Sequence, residues 1–230
     1  MTLRGVELVR CADADEVASV VGGALAAAAD AGQAIVLTGG ETPGAAYGVA
    51  AELEPDWSAA SVWWGDERCV PPEDERSNYR LARETLLDRL EAPPREVQRI
   101  RGELGAEAAA DEYDALLRDV RLDLVLLGIG PDGHTASLFP NSPTLEERER
   151  RAVPADAGLE PFVDRVTLTV PVLSSAPEVV FLVTGESKAE ALERAFVHAP
   201  EPHVPASLVR AGAGRTRLVA DAAAAARLPA

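Results

Sequence analysis

Short apolar runs alternate with glycine-rich turns and Ala-rich amphipathic stretches along this chain. Residues 122–127 are apolar at almost every position, as expected of a strand covered on both faces. Residues 34–37, 61–64 and 178–183 read the same way, and 6–9, 166–169 and 216–220 are further strands. Asp13 and Glu16 have capping-box spacing and open an Ala-rich helix that runs to Ala31. Helices are predicted over 44–53, with Pro43 in the first turn, from Ser77 to Leu87, over 105–120, and from Lys188 to Phe196. Pro171 opens a short helix and Asp221 caps a last one. Short strands near 97–100 and 151–153 are expected at sheet edges, where they would make the sheet mixed.

Strand, glycine-rich loop and helix recur at Thr38, Gly65, Gly128 and Thr184. This repetition predicts an α/β fold: three layers around a doubly wound, mostly parallel sheet, Rossmann-like in topology but without dinucleotide binding. Residues 1–230 are expected to form one domain. The strand ending at Leu127 should be central, with His134 beyond its carboxyl end, where open α/β sheets bind ligands.

At 230 residues and 47% hydrophobic, the chain can bury a sizeable core. It has no 18-residue apolar run and no apolar leader near its start, so neither a membrane span nor a signal peptide is expected. Two cysteines, Cys11 and Cys69, are too few for a disulfide framework, and a reduced, cytoplasmic setting is the expectation. The net charge of −16 argues against a nucleic-acid partner. Any anionic substrate must therefore meet a local cluster of cations and backbone N–H groups. A monomer and a small homo-oligomer fit equally well, and no obligate protein partner is implied.

The chemistry concentrates in the loops. Gly128, Gly130, Asp132, Gly133 and His134 follow the central strand, and a histidine placed there is a candidate general base. Gly128 to Gly133 also spell G-x-G-x-x-G, the string of dinucleotide folds. The match is discounted: it lies mid-chain, Pro140 cuts the predicted helix after His134 to about two turns, and the segment near position 150 is a run of mixed charge. Thr38 to Pro43 suits an anion, because Gly39 and Gly40 free the backbone to turn N–H groups toward it at a helix start. Thr42 adds a hydroxyl, Glu41 is expected to point away, and Arg165 and Lys188 are the candidate counter-charges. Asp66, Glu67 and Arg68 follow a strand directly, where a guanidinium can bind or stabilise substrate oxygens and the acids can orient it.

The segments TGGETP (38–43), WGDERCVP (64–71), SNY (77–79), GIGPDGHTASLFP (128–140), RVTLT (165–169) and TGESK (184–188) together resemble the 6-phosphogluconolactonase family. They span nearly the whole chain in family order. The resemblance implies a sugar-phosphate lactone as substrate, in the oxidative pentose phosphate pathway, with neither metal nor nicotinamide cofactor. It assigns the general base to His134, phosphate binding to Gly39, Gly40, Thr42, Arg165 and Lys188, and an active-site role to Arg68. Asp132 would orient the loop or the histidine, and Asp66, Glu67, Gly130 and Gly133 would complete the pocket. The family loop more often has Ser or Arg where this chain has Glu41.

A related branch, glucosamine-6-phosphate deaminase, shares the phosphate loop and the glycine frame. It typically carries Asn where this chain has Asp132, and the contiguous Asp66-Glu67-Arg68 and the Ala-Ser-Leu-Phe-Pro after His134 favour the lactonase branch. A sugar-phosphate sensor would bind without turnover, and no DNA-binding or signalling segment is attached. Ser137 is the rival nucleophile, but no G-x-S-x-G surrounds it, so Ser137→Ala is expected to keep most activity.

Overall fold

The computed structural model describes residues 3–156, 158 and 162–229. In chain order the elements are β1 (Val6–Cys11), α1 (Ala14–Asp30), β2 (Ala34–Leu37), α2 (Glu41–Leu53), β3 (Ser61–Trp64), β4 (Asp66–Arg68) and α3 (Asn78–Thr85). Then come β5 (Glu96–Gln98), α4 (Ala106–Leu117), β6 (Leu124–Leu127), β7 (Ala152–Ala155), β8 (Arg165–Leu168), α5 (Val170–Leu173), β9 (Glu178–Val183), α6 (Ala189–Phe196) and β10 (Arg215–Asp221). The Asp13 half of the predicted capping box is present, with Asp13 accepting from the Glu16 amide at 2.9 Å; Glu16 accepts from the Ala12 amide, one residue before the cap, at 2.6 Å.

Seven strands form one sheet in the order β1-β10-β9-β6-β2-β3-β5, and every pairing in it is parallel. The fold is thus α/β with helices flanking a parallel sheet. From β2 the chain steps outward to β3 and β5, and from β6 it steps the other way to β9 and β10. Right-handed crossovers put the helices of these two halves on opposite faces. The reversal falls between adjacent β2 and β6, so the crevice at their carboxyl ends is the switch point. β6 is the middle strand and all four of its residues are buried.

The sequence expectation of a mixed sheet needs correction. β5 joins the main sheet as a parallel edge, whereas β7 belongs to a separate antiparallel sheet of order β4-β8-β7. β4 itself falls where a ligand loop was expected. One residue, Gly65, separates it from β3, and Gly65 touches both sheets: its N–H donates to Leu37 O at 2.9 Å and its carbonyl accepts from the Leu168 amide at 2.8 Å. The predicted two-turn helix after His134 is absent. Instead, Thr135 and Leu138 bridge a tight turn, with Ala136 at φ +49°. The last predicted helix is a 3-10 turn, Ala224–Arg227, with Asp221 accepting from the Ala224 amide.

Two buried tyrosines hold the strand ends beside the crevice. Tyr47 of α2 accepts from the Thr38 amide at 2.9 Å and donates to Thr38 O at 2.6 Å, just past β2. Tyr113 of α4 accepts from the Trp64 amide at 2.9 Å and donates to Trp64 O at 3.1 Å, at the end of β3. Each hydroxyl satisfies an amide and a carbonyl that the strand ladder leaves behind.

Candidate active site

A cleft of about 210 Å³, open to solvent, lies at the switch point. Thr38, Gly39 and Gly40 line it from β2, Gly128, Gly130 and His134 from β6, and Asp66, Arg68, Arg165 and Lys188 from the remaining loops and the small sheet.

Gly40 caps α2 at φ +116°, a left-handed conformation that a glycine adopts without a Cβ penalty. No side chain caps this helix, so its first N–H groups are available to an anion. The Thr42 hydroxyl is not directed at the cleft: it shares a hydrogen bond with Thr184 Oγ1 at 2.8 Å, tying α2 to the end of β9. Glu41 is exposed and borders a groove with Gly44, Leu81 and Thr85, away from the cleft.

The turn after β6 brings Asp132 and His134 together. Asp132 Oδ1 lies 2.6 Å from His134 Nδ1 and also accepts the His134 amide at 3.1 Å. Burial pushes the Asp132 carboxyl up, but its bonds to His134 outweigh this and hold it below the ordinary range. The imidazole packs against Phe139, centroid to centroid at 5.1 Å. Gly130 must stay glycine here, because a Cβ would overlap the His134 ring and crowd Asp132. Gly133 packs against Val204 on the far side of the turn rather than lining the cleft.

Strand periodicity sorts Asp66, Glu67 and Arg68. Asp66 and Arg68 point to one face of β4, where they meet Thr167 and Arg165 of β8 in register, while Glu67 points to the other. Arg68 donates to Arg76 O at 2.6 Å, and its Nε has no partner among the described residues. Arg165 is 4% exposed and lies over the Phe139 ring at 5.5 Å. Burial lowers its pKa, Asp66 opposes that, and Arg68 reinforces it. Burial likewise lowers Lys188, against the pull of Asp132.

Glu67 is the misplaced pocket residue. It is buried beneath the start of α3, accepting the amides of Arg68, Asn78 and Tyr79 at 2.8 Å each and the Ser77 hydroxyl at 3.0 Å. Burial pushes its carboxyl up while these four donors pull it back. Its work is to cap a helix. Asn78, which sequence reasoning noted only within its motif, lines the cleft instead and donates to Asp66 O at 2.9 Å. Ser137, the rival nucleophile, is fully buried, absent from the cleft wall, and donates to Asp66 Oδ2 at 2.6 Å.

Residues 12–218 match the family model described as glucosamine-6-phosphate isomerases/6-phosphogluconolactonase. The human protein named 6-phosphogluconolactonase is 44% identical over 167 residues, which cover 70% of this chain and 65% of that protein. The matched segment is thus just under two thirds of the human sequence. The protein of that name in Streptomyces coelicolor is 37% identical over 214 residues, 85% of this chain and 82% of the relative. The solved structure of 6-phosphogluconolactonase from Trypanosoma cruzi superposes with a TM-score of 0.88 at 27% identity, over 100% of this chain and 99% of the other. With nine-tenths of its length inside the family model and the fold shared end to end, this chain belongs to the glucosamine-6-phosphate isomerase/6-phosphogluconolactonase family.

Proposed function

We propose that the protein hydrolyses 6-phospho-D-glucono-1,5-lactone to 6-phospho-D-gluconate, with His134 as general base toward water. The Asp132–His134 pair carries this reading. A carboxylate 2.6 Å from Nδ1 keeps the proton on that nitrogen and leaves Nε2 as the acceptor. Neutral His134 takes a proton from water as the water oxygen bonds to C1. Arg68 stabilises the oxyanion that forms. The C1–ring oxygen bond then breaks, and the imidazolium gives its proton to the departing oxygen. The new carboxylic acid ionises, releasing one proton per turnover.

The phosphate lies against Gly39, Gly40 and the open first turn of α2, with Arg165 and Lys188 as counter-charges. Thr42 contributes through its backbone rather than its hydroxyl. A phosphate beside Lys188 and Arg165 offsets the burial that disfavours their charged forms. A nucleophilic role for Ser137 is disfavoured, since its one hydroxyl proton is already given to Asp66.

The test is acid release above the spontaneous rate, with the 6-phosphorylated lactone compared with unphosphorylated gluconolactone. Preference for the phosphorylated ester is expected. Equal catalytic efficiency on the two esters overturns the assignment. Ammonia release from glucosamine 6-phosphate at a higher efficiency than lactone hydrolysis would move the chain to the isomerase branch.

A further inference from the structure

Ser137 has a use that neither a nucleophile nor a filler would have. Its hydroxyl donates to Asp66 Oδ2 at 2.6 Å and its amide donates to Thr167 Oγ1 at 3.2 Å. Asp66 and Thr167 are directly opposed partners on β4 and β8, and the next pair on the same face is Arg68 with Arg165. One residue therefore clips the His134 turn onto the two strands that present both guanidinium groups.

The other side of the turn is tied to β6. Thr135 Oγ1 donates to Gly128 O at 2.8 Å, and the Gly130 amide donates to His134 O at 2.8 Å. Ala136, between the two hydroxyl anchors, is held at φ +49° against the cleft. A non-glycine residue keeps that conformation only where its surroundings impose it. Ser137, Thr135 and Thr167 are each fully buried, and Asp66 is 5% exposed, so water cannot replace a lost partner.

We propose that Ser137 is a positioning residue for the reaction proposed above. It docks the His134 turn on the Asp66–Thr167 pair and so fixes the imidazole relative to Arg68 and Arg165. The inference rests on that reading of the function and revises the expectation that Ser137→Ala keeps most activity. A small displacement of a reacting group can cost as much as about a hundredfold in rate.

The experiment is a double-mutant cycle in the lactonase assay, with Ser137→Ala made in the wild-type and His134→Ala backgrounds and folding checked by thermal unfolding. In the wild-type background kcat is expected to fall roughly tenfold to a hundredfold with KM changed by less than about twofold, as for an interaction made in the transition state. In the His134→Ala background the same change should cost less than about twofold, because the group it positions is gone. Should Ser137→Ala fail to fold, Thr167→Val removes the acceptor of the Ser137 amide at similar volume and is run through the same cycle, with the same coupling expected. Wild-type kcat in the single variant, equal losses in both backgrounds, or an acyl group trapped on Ser137 overturns this role while leaving the lactonase intact. A wild-type protein without turnover overturns the function itself, and this role with it.

Discussion

Arg68 and Arg165 face each other across the β4–β8 ladder, both against the cleft. Like charges opposed in a sheet repel, and burial already lowers the pKa of Arg165. Asp66 already opposes that shift, and an anion in the cleft would add to its effect. 6-Phosphogluconate at a hundred times its dissociation constant should therefore stabilise the protein by about 2.7 kcal/mol, or roughly 5–10 °C in Tm. Replacing Arg165 by Ala removes a charged contact of about 1.5–3 kcal/mol, so affinity should fall roughly ten- to 150-fold. Thermal scans across a ligand titration check both statements, and a ligand shift unchanged in Arg165→Ala would show that the anion lies elsewhere.

In the proposed mechanism His134 carries the proton transfer, so its removal should act on chemistry and spare binding. Positioned acid–base catalysis supplies about 10²–10⁴-fold, and His134→Ala should lose that much in kcat while still binding 6-phosphogluconate. Kinetics alongside calorimetric titration with the product separates the two effects. Turnover close to wild type in this variant would remove His134 from the mechanism.

Gly130 offers a steric version of the same test without touching a reacting group. A Cβ there would overlap the His134 ring. Gly130→Ala should therefore displace the imidazole and lower kcat by about tenfold to a hundredfold. A crystal structure of the variant should show the ring moved off Asp132; an unmoved ring with full activity counts against the tight turn described for this loop.

Legibility in the sequence followed the range of the interactions. The central strand and the helix cap at Asp13 rest on local pattern, four buried residues in a row and two acids at fixed spacing, and both stand in the structure. β4 was hidden because Asp66-Glu67-Arg68 has no apolar alternation, and its partner Arg165–Leu168 lies far along the chain. The turn at Thr135–Leu138 was read as helix for a similar reason: the left-handed Ala136 is imposed by anchors on Gly128 and Asp66, not by its own propensity. Residue types in the cleft were readable from their loops. Which acid faces the cleft and which faces the core depended on a strand register that no local signal disclosed.

Glu67 makes that difference measurable. Its buried carboxylate serves the Asn78 and Tyr79 amides and the Ser77 hydroxyl at the start of α3, and the Arg68 amide of β4. Glu67→Ala strands these donors, at about 1–3 kcal/mol for each one left without a partner. Even partial relief by water should leave a loss of about 3 kcal/mol or more, a fall in Tm of roughly 6–12 °C. Glu67 does not line the cleft and has no part in the proposed phosphate site, so the surviving folded protein should keep a KM near wild type. A large rise in KM without a change in Tm would return Glu67 to the pocket.

Asp132 should link the site to acid stability. Burial raises its carboxyl, but the hydrogen bonds and charge of His134 prevail, and the folded-state pKa lies below the ordinary value. A carboxyl lowered on folding contributes stability that is fully present above its unfolded pKa of about 3.9 and is lost as pH falls through the folded value. The window is therefore below about pH 4, on the acid side only. Asp132→Asn keeps an oxygen for His134 but cannot titrate there. The Tm gap between wild type and Asp132→Asn should narrow as pH falls below about 4, as protonation turns the wild-type carboxylate into a neutral group as well. A gap that is unchanged at pH 3, or that opens only there, would mean that the carboxylate is not held by His134 in the folded protein.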